Sequence, residues 1–471
     1  MKRISFRTIA ALLFALATGW NAAAQSANTS TNLPGWITRP LSLTDCLNLA
    51  FQQNATILMA RNDLEASYGV VVQTRAIALP QLQATGQYKD TEPSAIENFP
   101  GPPGTPGIVP PNQNWNAGVQ IVQSIYEGGK LVAALQAAST TKKQALAQYQ
   151  TAVADTMLAI RLAYYDVLLA AQQITVNEAS VNLLQKELED QQRRYNAGTV
   201  PHFNVLRAEV AVANERPNLI QARNNYRITK NNLSNLLGYN LPRDIWEDIP
   251  LNLTDTLDAA PYQLDLPAGI QQALSRRTEL VALRQTAELQ RLNVVNAKAG
   301  YKPNLQVFAG YNWVNTQFGN PPTYTTPGLN EYLNGWNAGA QVSWDIFDGM
   351  LTRGKVVQAR ALYDKSKTDL DDKARQIELE VRTAYSDFIM AREVLDSQIK
   401  VQEEAEEALR EASARADAGT GTQLDVLDAQ TSLTQARTTE VQALHDYDAA
   451  RARLERAIGE DMIQKPAPSK P

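Results

Sequence analysis

The sequence predicts a mixed α and β membrane protein in which four strands and two very long helices are delivered by an internal tandem structural repeat. Three observations carry that expectation. One register maps the second half of the chain onto the first, proline-free stretches hold a seven-residue apolar step, and four segments alternate apolar with amide side chains. With 471 residues and a formal net charge of −5, the chain lacks the basic footprint of a nucleic-acid binder.

The first residues read as an export signal, 1–24. Lys2, Arg3 and Arg7 precede an apolar stretch, and Ala22-Ala23-Ala24 offers a cleavage site before Gln25. A retained anchor is the alternative, but the stretch is short for a bilayer. Residues 25–42 form an N-terminal extension. The single cysteine, Cys46, lies well past the cleavage site, so neither a lipid-modified terminus nor an intramolecular disulfide is expected.

Repeats decide the organisation. Trp115-Asn116-Ala117-Gly118 recurs as Trp336-Asn337-Ala338-Gly339, 221 residues further on, and Ala197-Gly198-Thr199 recurs as Ala418-Gly419-Thr420. Upstream the displacement is 223, matching Leu43, Pro80 and Tyr88 to Leu266, Pro303 and Tyr311. Repeat 1 is assigned to 43–238, an inter-repeat segment packed outside the midsection to 239–265, repeat 2 to 266–459, and a disordered tail to 460–471.

Each copy reads as a helical lead-in (43–79; 266–299), strand, loop, strand, long helix, tight turn and return helix. No proline occurs in 112–200 or 328–465, so the long helices run unbroken. Val153, Ile160, Val167, Ile174, Val181, Leu188 and Tyr195 keep a constant step of seven, the signature of left-handed coiled-coil packing. A helix from Lys130 to Tyr195 spans ~100 Å. An ordinary dimeric coiled coil is the competing reading, and it leaves the strands unexplained. In the return helix, Pro217 predicts a kink or break near Arg216.

In the strands, Leu82, Ala84, Gly86 and Tyr88 alternate with Gln81, Gln83, Thr85 and Gln87. Trp336, Ala338, Ala340, Val342 and Trp344 alternate with Asn337, Gly339, Gln341, Ser343 and Asp345. One apolar face and one amide face match a barrel with lipid outside and water inside. The Pro- and Gly-rich segments 93–111 and 315–334 fit extracellular loops. Tyr88, Trp115, Tyr311, Trp313, Trp336 and Trp344 are candidate interfacial anchors, with burial in a soluble core as the competitor. Four strands cannot close a barrel, and an open edge in hydrocarbon costs several kcal/mol per unpaired backbone group. Several chains must therefore complete the ring. Two would give eight strands, a barrel filled by its own side chains; three give twelve and begin to leave a lumen.

The lead-in Leu43-Thr44-Asp45-Cys46-Leu47-Asn48-Leu49-Ala50 with Pro80-Gln81-Leu82 resembles TolC-like outer-membrane efflux proteins. So do Tyr195-Asn196-Ala197-Gly198 and the run from Ala418-Gly419-Thr420 into Leu424-Asp425-Val426-Leu427-Asp428-Ala429. The likeness extends from Leu41 to about Gly459. It implies a homotrimer with a twelve-stranded barrel, four strands per chain, continued by a coiled-coil periplasmic tunnel. It further implies an outer-membrane location in a Gram-negative bacterium, and partnership with a periplasmic adaptor protein and an inner-membrane transporter. The expected activity is efflux of small molecules. A type I secretion duct for polypeptides, or a periplasmic coiled-coil adaptor or scaffold, are the alternatives.

By the same resemblance the turns carrying Gly198, Thr199, Gly419 and Thr420 meet the adaptor, and Asp425 and Asp428 form carboxylate rings at the constriction. Such rings favour cations and raise one another's pKa values; two solvated aspartates helping a helix dipole are the plainer reading. The family latch is altered. Ala416 and Gly421 stand where a tyrosine and an arginine are usual, and Asn204 where an aspartate is. Arg207, the repeat partner of Asp428, is a candidate substitute. No catalytic motif or cofactor site is read: His202 and His445 are far apart, and no metal-ligand or phosphate-loop spacing occurs. Energy is expected from a partner.

Overall fold

Ser42 starts the first helix. Its hydroxyl accepts from the Asp45 amide while the Asp45 carboxylate accepts from the Ser42 amide, a reciprocal capping box opening α1 (Leu43–Gln53). The computed structural model describes residues 39–95, 101, 103–104, 113–239, 249–315 and 332–460. The expected signal segment, most of the 25–42 extension, most of both long loops and the expected disordered tail beyond Glu460 lie outside the described residues.

After α1 come α2 (Ala55–Ala76), β1 (Gln81–Asp90), a 3₁₀ turn (Pro93–Ala95), β2 (Gln113–Glu127), α3 (Lys130–Asn196) and α4 (His202–Leu236). The second half presents α5 (Leu266–Arg276), α6 (Thr278–Ala299), β3 (Asn304–Asn315), β4 (Tyr332–Ser343), α7 (Leu351–Asp417) and α8 (Gln423–Ile458). Both long helices have 67 residues.

Three expectations need correction. Each lead-in is two helices, parted at Asn54 and Arg277, although neither proline nor glycine marks the joint. Asn54 leaves helical geometry and caps α2, its side chain accepting from the Thr56 and Ile57 amides while its Nδ2 donates to the Leu236 carbonyl at 2.6 Å. Helix α4 shows no break at Arg216; it runs through Pro217. Pro217 is exposed, as is Ala213 one turn earlier, so water can serve the carbonyl that loses its amide partner. Strand β4 stops at Ser343, leaving Trp344 and Asp345 beyond it.

The sheet is antiparallel throughout, in the order β1-β2-β3-β4. Leu82 faces Ile121, Ile121 faces Ala309 and Ala309 faces Ala338, so the apolar sets of all four strands share one side. Gln83 and Gln120 fall on the other, with Asn312 Nδ2 donating to Asn337 Oδ1 at 3.3 Å. Ile125 is an extra residue between Ser124 and Tyr126, a bulge next to the helices. Among the described residues, the outer edges of β1 and β4 have no neighbouring strand.

Two cores sit at mid-height. Ile160, Tyr164 and Val167 of α3 bury against Leu233 and Leu237 of α4 and against Ile249 and Leu251 of the inter-repeat segment. Val381 and Phe388 of α7 bury against Leu454 of α8 and Leu280 of α6. The seven-residue stripe is tight here and loosens below, where Tyr195 is exposed. Helix α3 packs on α2 and α4 of its own half and on α6 and α8 of the other; among the described residues, α7 packs mainly on α5, α6 and α8, all of its own half.

Candidate functional site

The two hairpin tips are built alike. At the first, the Thr199 amide donates to the Arg194 carbonyl at 2.9 Å and the Gly198 amide to that of Tyr195 at 2.8 Å. At the second, Thr420 reaches Arg415 at 2.9 Å and Gly419 reaches Ala416 at 3.2 Å. These are Schellman closures, which need a left-handed residue, and Gly198 and Gly419 stand at φ 75° and 74°. Each threonine hydroxyl caps the same carbonyl as its amide. All four residues are exposed or half-buried, the first tip carrying Tyr195 against the His202 ring at 5.1 Å.

The tips are tied in ways that residue spacing did not announce. Arg194 donates to Asp417 at 2.7 Å, joining the last turns of α3 and α7, and Gln423 Nε2 donates to the Asn204 carbonyl at 3.1 Å. The hydrogen bond to Asp417 raises the Arg194 pKa. A signal did exist for this tie: Asp417 ends a helix, where the dipole disfavours a carboxylate unless a cation attends it.

The four constriction candidates are not brought together within one chain. Asp425 accepts from the Thr422 amide at 2.9 Å and the Thr422 hydroxyl at 2.8 Å, closing a capping box that starts α8. Those two bonds, backbone first, hold its carboxyl below the usual carboxylate range. Asp428 is exposed one turn on. Arg207 lies over the Phe203 ring, 5.2 Å from its centre, and pairs with neither aspartate within the chain. Asn204 is half-buried and contributes its backbone carbonyl.

In the sheet, Tyr88 stands opposite Trp115 and Tyr311 opposite Trp336, with the Tyr311 and Trp313 rings 4.7 Å apart. These five cluster at the end of the sheet remote from the helices. Trp344 sits alone at the helical end, its Nε1 donating to the Tyr301 carbonyl at 3.2 Å.

At mid-height a buried ionic network, missed in the sequence, links the halves. Arg277, 4% exposed, forks to Glu279 and Glu380 and donates to the Arg456 and Ala457 carbonyls. Arg456 reaches Glu279 at 2.7 Å and Asp155 of α3 at 2.6 Å. Burial pulls the Glu279 carboxyl upward, yet hydrogen bonds from Arg277 and Arg456 bring it down to about 2. Arg161 pairs with Glu455, and His445 lies between Asp166 at 2.9 Å and Asp446 at 3.0 Å. Among the described residues no helix is long and apolar enough to cross a membrane.

The outer membrane efflux protein family model matches residues 46–239 and again 269–460. The chain belongs to that family. Among its relatives, the outer membrane protein TolC of Vibrio cholerae is 24% identical over 89% of this chain and 90% of its own length. The alkaline protease secretion protein AprF of Pseudomonas aeruginosa is 26% identical over 62% of this chain and 59% of its own. Of solved structures, the outer-membrane channel OprN superposes with a TM-score of 0.73 at 18% identity, covering 90% of this chain and 91% of that one. VceC of Vibrio cholerae gives 0.72 at 20% identity, covering 89% and 96%. This efflux-family chain is therefore an outer-membrane protein with a periplasmic tunnel.

Proposed function

We propose that three copies of this chain close a twelve-stranded barrel and form an exit duct for small molecules. The duct works with a periplasmic adaptor and an inner-membrane transporter. The observation that carries the reading is the open sheet: one face apolar, the other lined with amides, both edges unpaired, and each half running directly into a 67-residue helix. Unpaired edges in lipid demand strands from elsewhere. The helices support the same closure. Helix α3 has α6 and α8 on one flank, while its repeat counterpart α7 lacks the equivalent neighbour, a place that α2 and α4 of the next copy fit. Repetition of the element order and the two-fold family match favour an origin by duplication, with repeats at 43–238 and 266–459 joined by 239–265.

The aromatic rows fit the membrane. From the level of Trp313, which faces Asn334, to Trp344 is ten residues along β4. That is about 34 Å of strand, or about 26 Å along the normal at a 40° tilt, against a barrel band about 25 Å tall. Tyr88, Trp115, Tyr311, Trp313 and Trp336 would anchor one interface and Trp344 the other. At the far end, the exposed Gly198-Thr199 and Gly419-Thr420 turns are the adaptor contacts, recognised as helix-hairpin ends. Threefold symmetry turns Asp428, and Asp425 behind it, into carboxylate rings at the constriction.

The test is extraction from outer membranes followed by native mass measurement and planar-bilayer conductance. A conducting trimer is expected, and a water-soluble, non-conducting monomer would overturn the reading. Asp428→Asn should lower cation selectivity. If Arg207→Ala leaves the resting conductance untouched while Asp428→Asn changes it, Arg207 takes no part in closing the duct. Loss of drug export without loss of protease export, or the reverse, separates small-molecule efflux from polypeptide secretion.

A further inference from the structure

Chain path through the junction between sheet and tunnel is the same in both halves, although only one half has a neighbour there. In the first half, β2 continues through the Ile125 bulge to Glu127, with Tyr126 facing Leu305 and Glu127 facing Asn304. Gly128 and Gly129 then turn into α3 at φ 62° and 101°. In the second half the corresponding residues are Trp344 to Asp348, followed by Gly349 and Met350 at φ 64° and 70°. Met350 is the one non-glycine residue at positive φ among those described, so the turn is kept despite its steric cost. Side chains repeat as well. Gln123 Nε2 donates to the Ala78 carbonyl at 3.2 Å, and Trp344 Nε1 donates to the carbonyl of Tyr301, the repeat counterpart of Ala78, at 3.2 Å.

What differs is the partner. Tyr126 is backed by Leu305, whereas Ile346 is 84% and Phe347 79% exposed on a segment with no ladder. The register inside each half is identical under the repeat displacement: Gln81 faces Val122, and their counterparts Asn304 and Ser343 face each other. The β2–β3 register can therefore be carried over to the one seam that a single chain leaves open.

Resting on the barrel reading above, we infer that residues 344–348 fold as a continuation of β4 onto β1 of the neighbouring copy, in one fixed register. Val342 faces Gly86 of the next chain, Ser343 faces Thr85 and Trp344 faces Ala84. Ile346 is then a bulge like Ile125, and Phe347 faces Leu82. Along this seam the register sets the apolar residues on the lipid side and the amides on the lumen side. A one-residue slip would invert both strands, so the competitors are slips of two.

Cysteine pairs in the full-length, membrane-extracted channel decide the matter. Ser343 and Thr85 are both lumen-facing; within one chain they lie three strand spacings apart, about 14 Å, and Thr85 is level with Gly335 instead of Ser343, so a disulfide between them joins different copies. Cys46 is buried, and burial pushes its thiol up to about 12, so it stays out of the reaction. With Ser343→Cys and Thr85→Cys together, mild oxidation should give a ladder ending at three linked chains. Ser343→Cys with Gln83→Cys, or with Gln87→Cys, should give at least fivefold less, because diagonal neighbours exceed disulfide reach. Phe347→Cys should link to Leu82→Cys in preference to Ile346→Cys. A slipped pair that links as well as the first overturns the register, and Ile346 winning over Phe347 overturns the bulge. If no pair links in a preparation that is trimeric and conducting, the inference fails while the barrel stands. A monomeric, non-conducting preparation fails the barrel itself.

Discussion

Asn54 and Arg277 occupy the same joint in the two halves, and the contrast between them shows which contacts the fold needs and which hold the halves together. Both residues part the lead-in helices, both are 4% exposed, and both donate to the last helix of their own half, Asn54 to the Leu236 carbonyl and Arg277 to that of Ala457. That bond is the shared requirement of the joint. The charged groups around the joint itself belong to the second half: Glu279, Glu380 and Arg456 correspond to Thr56, Ala159 and Asn235. Through Arg456 the network reaches Asp155 on α3 and so ties the halves within one chain. The counterpart of Asp155 is Gln376, whose proposed neighbour in the next copy is Asn235. At this position the covalently joined seam is ionic, whereas the proposed seam between copies would bring two amides together.

The largest expected effect comes from breaking the ionic joint. Arg277→Ala or Arg456→Ala takes a guanidinium from the largely buried Glu279 carboxylate and should cost about 3–5 kcal/mol, against about 1–2 kcal/mol for Asn54→Ala, which removes a cap and one buried bond. Urea unfolding of both variants measures the difference, and equal losses would erase the contrast. Next is Gly238→Ala. At φ 83° its new Cβ would lie 2.4 Å from the Gln53 carbonyl, so it should destabilise by about 2 kcal/mol or more. Gly198→Ala, at nearly the same φ but in open space, should cost about 1 kcal/mol.

Two pH responses sharpen the same comparison. The Glu279 carboxyl is depressed to about 2, so its stabilisation is present above its unfolded pKa, about 4.3, and is lost as pH falls through about 2. Glu279→Gln should remove that acid-sensitive component from the unfolding midpoint. His445 behaves oppositely. Burial alone would lower its pKa, but hydrogen bonds to Asp166 and Asp446 raise it above 6.5. Its contribution is complete below about 6.5 and fades as pH rises through the folded value, by roughly 1 kcal/mol or less for a partly solvated pair. His445→Gln should flatten melting temperature against pH between 6 and 8.

Much of this was legible because two periodicities survive in the residues. The step of seven through Ile160, Val167 and Val181 gave the buried stripe of α3, and alternation from Leu82 to Tyr88 gave the apolar face of β1. The joints were not legible. Asn54 and Arg277 stop helices through side-chain capping and tertiary bonds, which no local pattern records, and Pro217 does not end α4 because it and Ala213, whose carbonyl loses its amide partner, are exposed to solvent. Ionic partners were hidden among many surface charges. The clue was paired change: Asn54 and Asn235 both become arginine in the second half, at Arg277 and Arg456. At the tips, the glycines announced the turns, whereas the Arg194–Asp417 tie depended on which helices stand side by side.

The placement of the packed waist on α3 has a mechanical consequence. From Val167 to Asn196 the rod extends ~44 Å below its fulcrum, and along that span the apolar stripe thins until Tyr195 is exposed. Pivoting by 5° at the waist would swing the free end by about 4 Å, wider than a water molecule, while side chains at the fulcrum slide by only fractions of an ångström. In the proposed duct, angular play too slight to disturb the interior would thereby be magnified into a change of aperture.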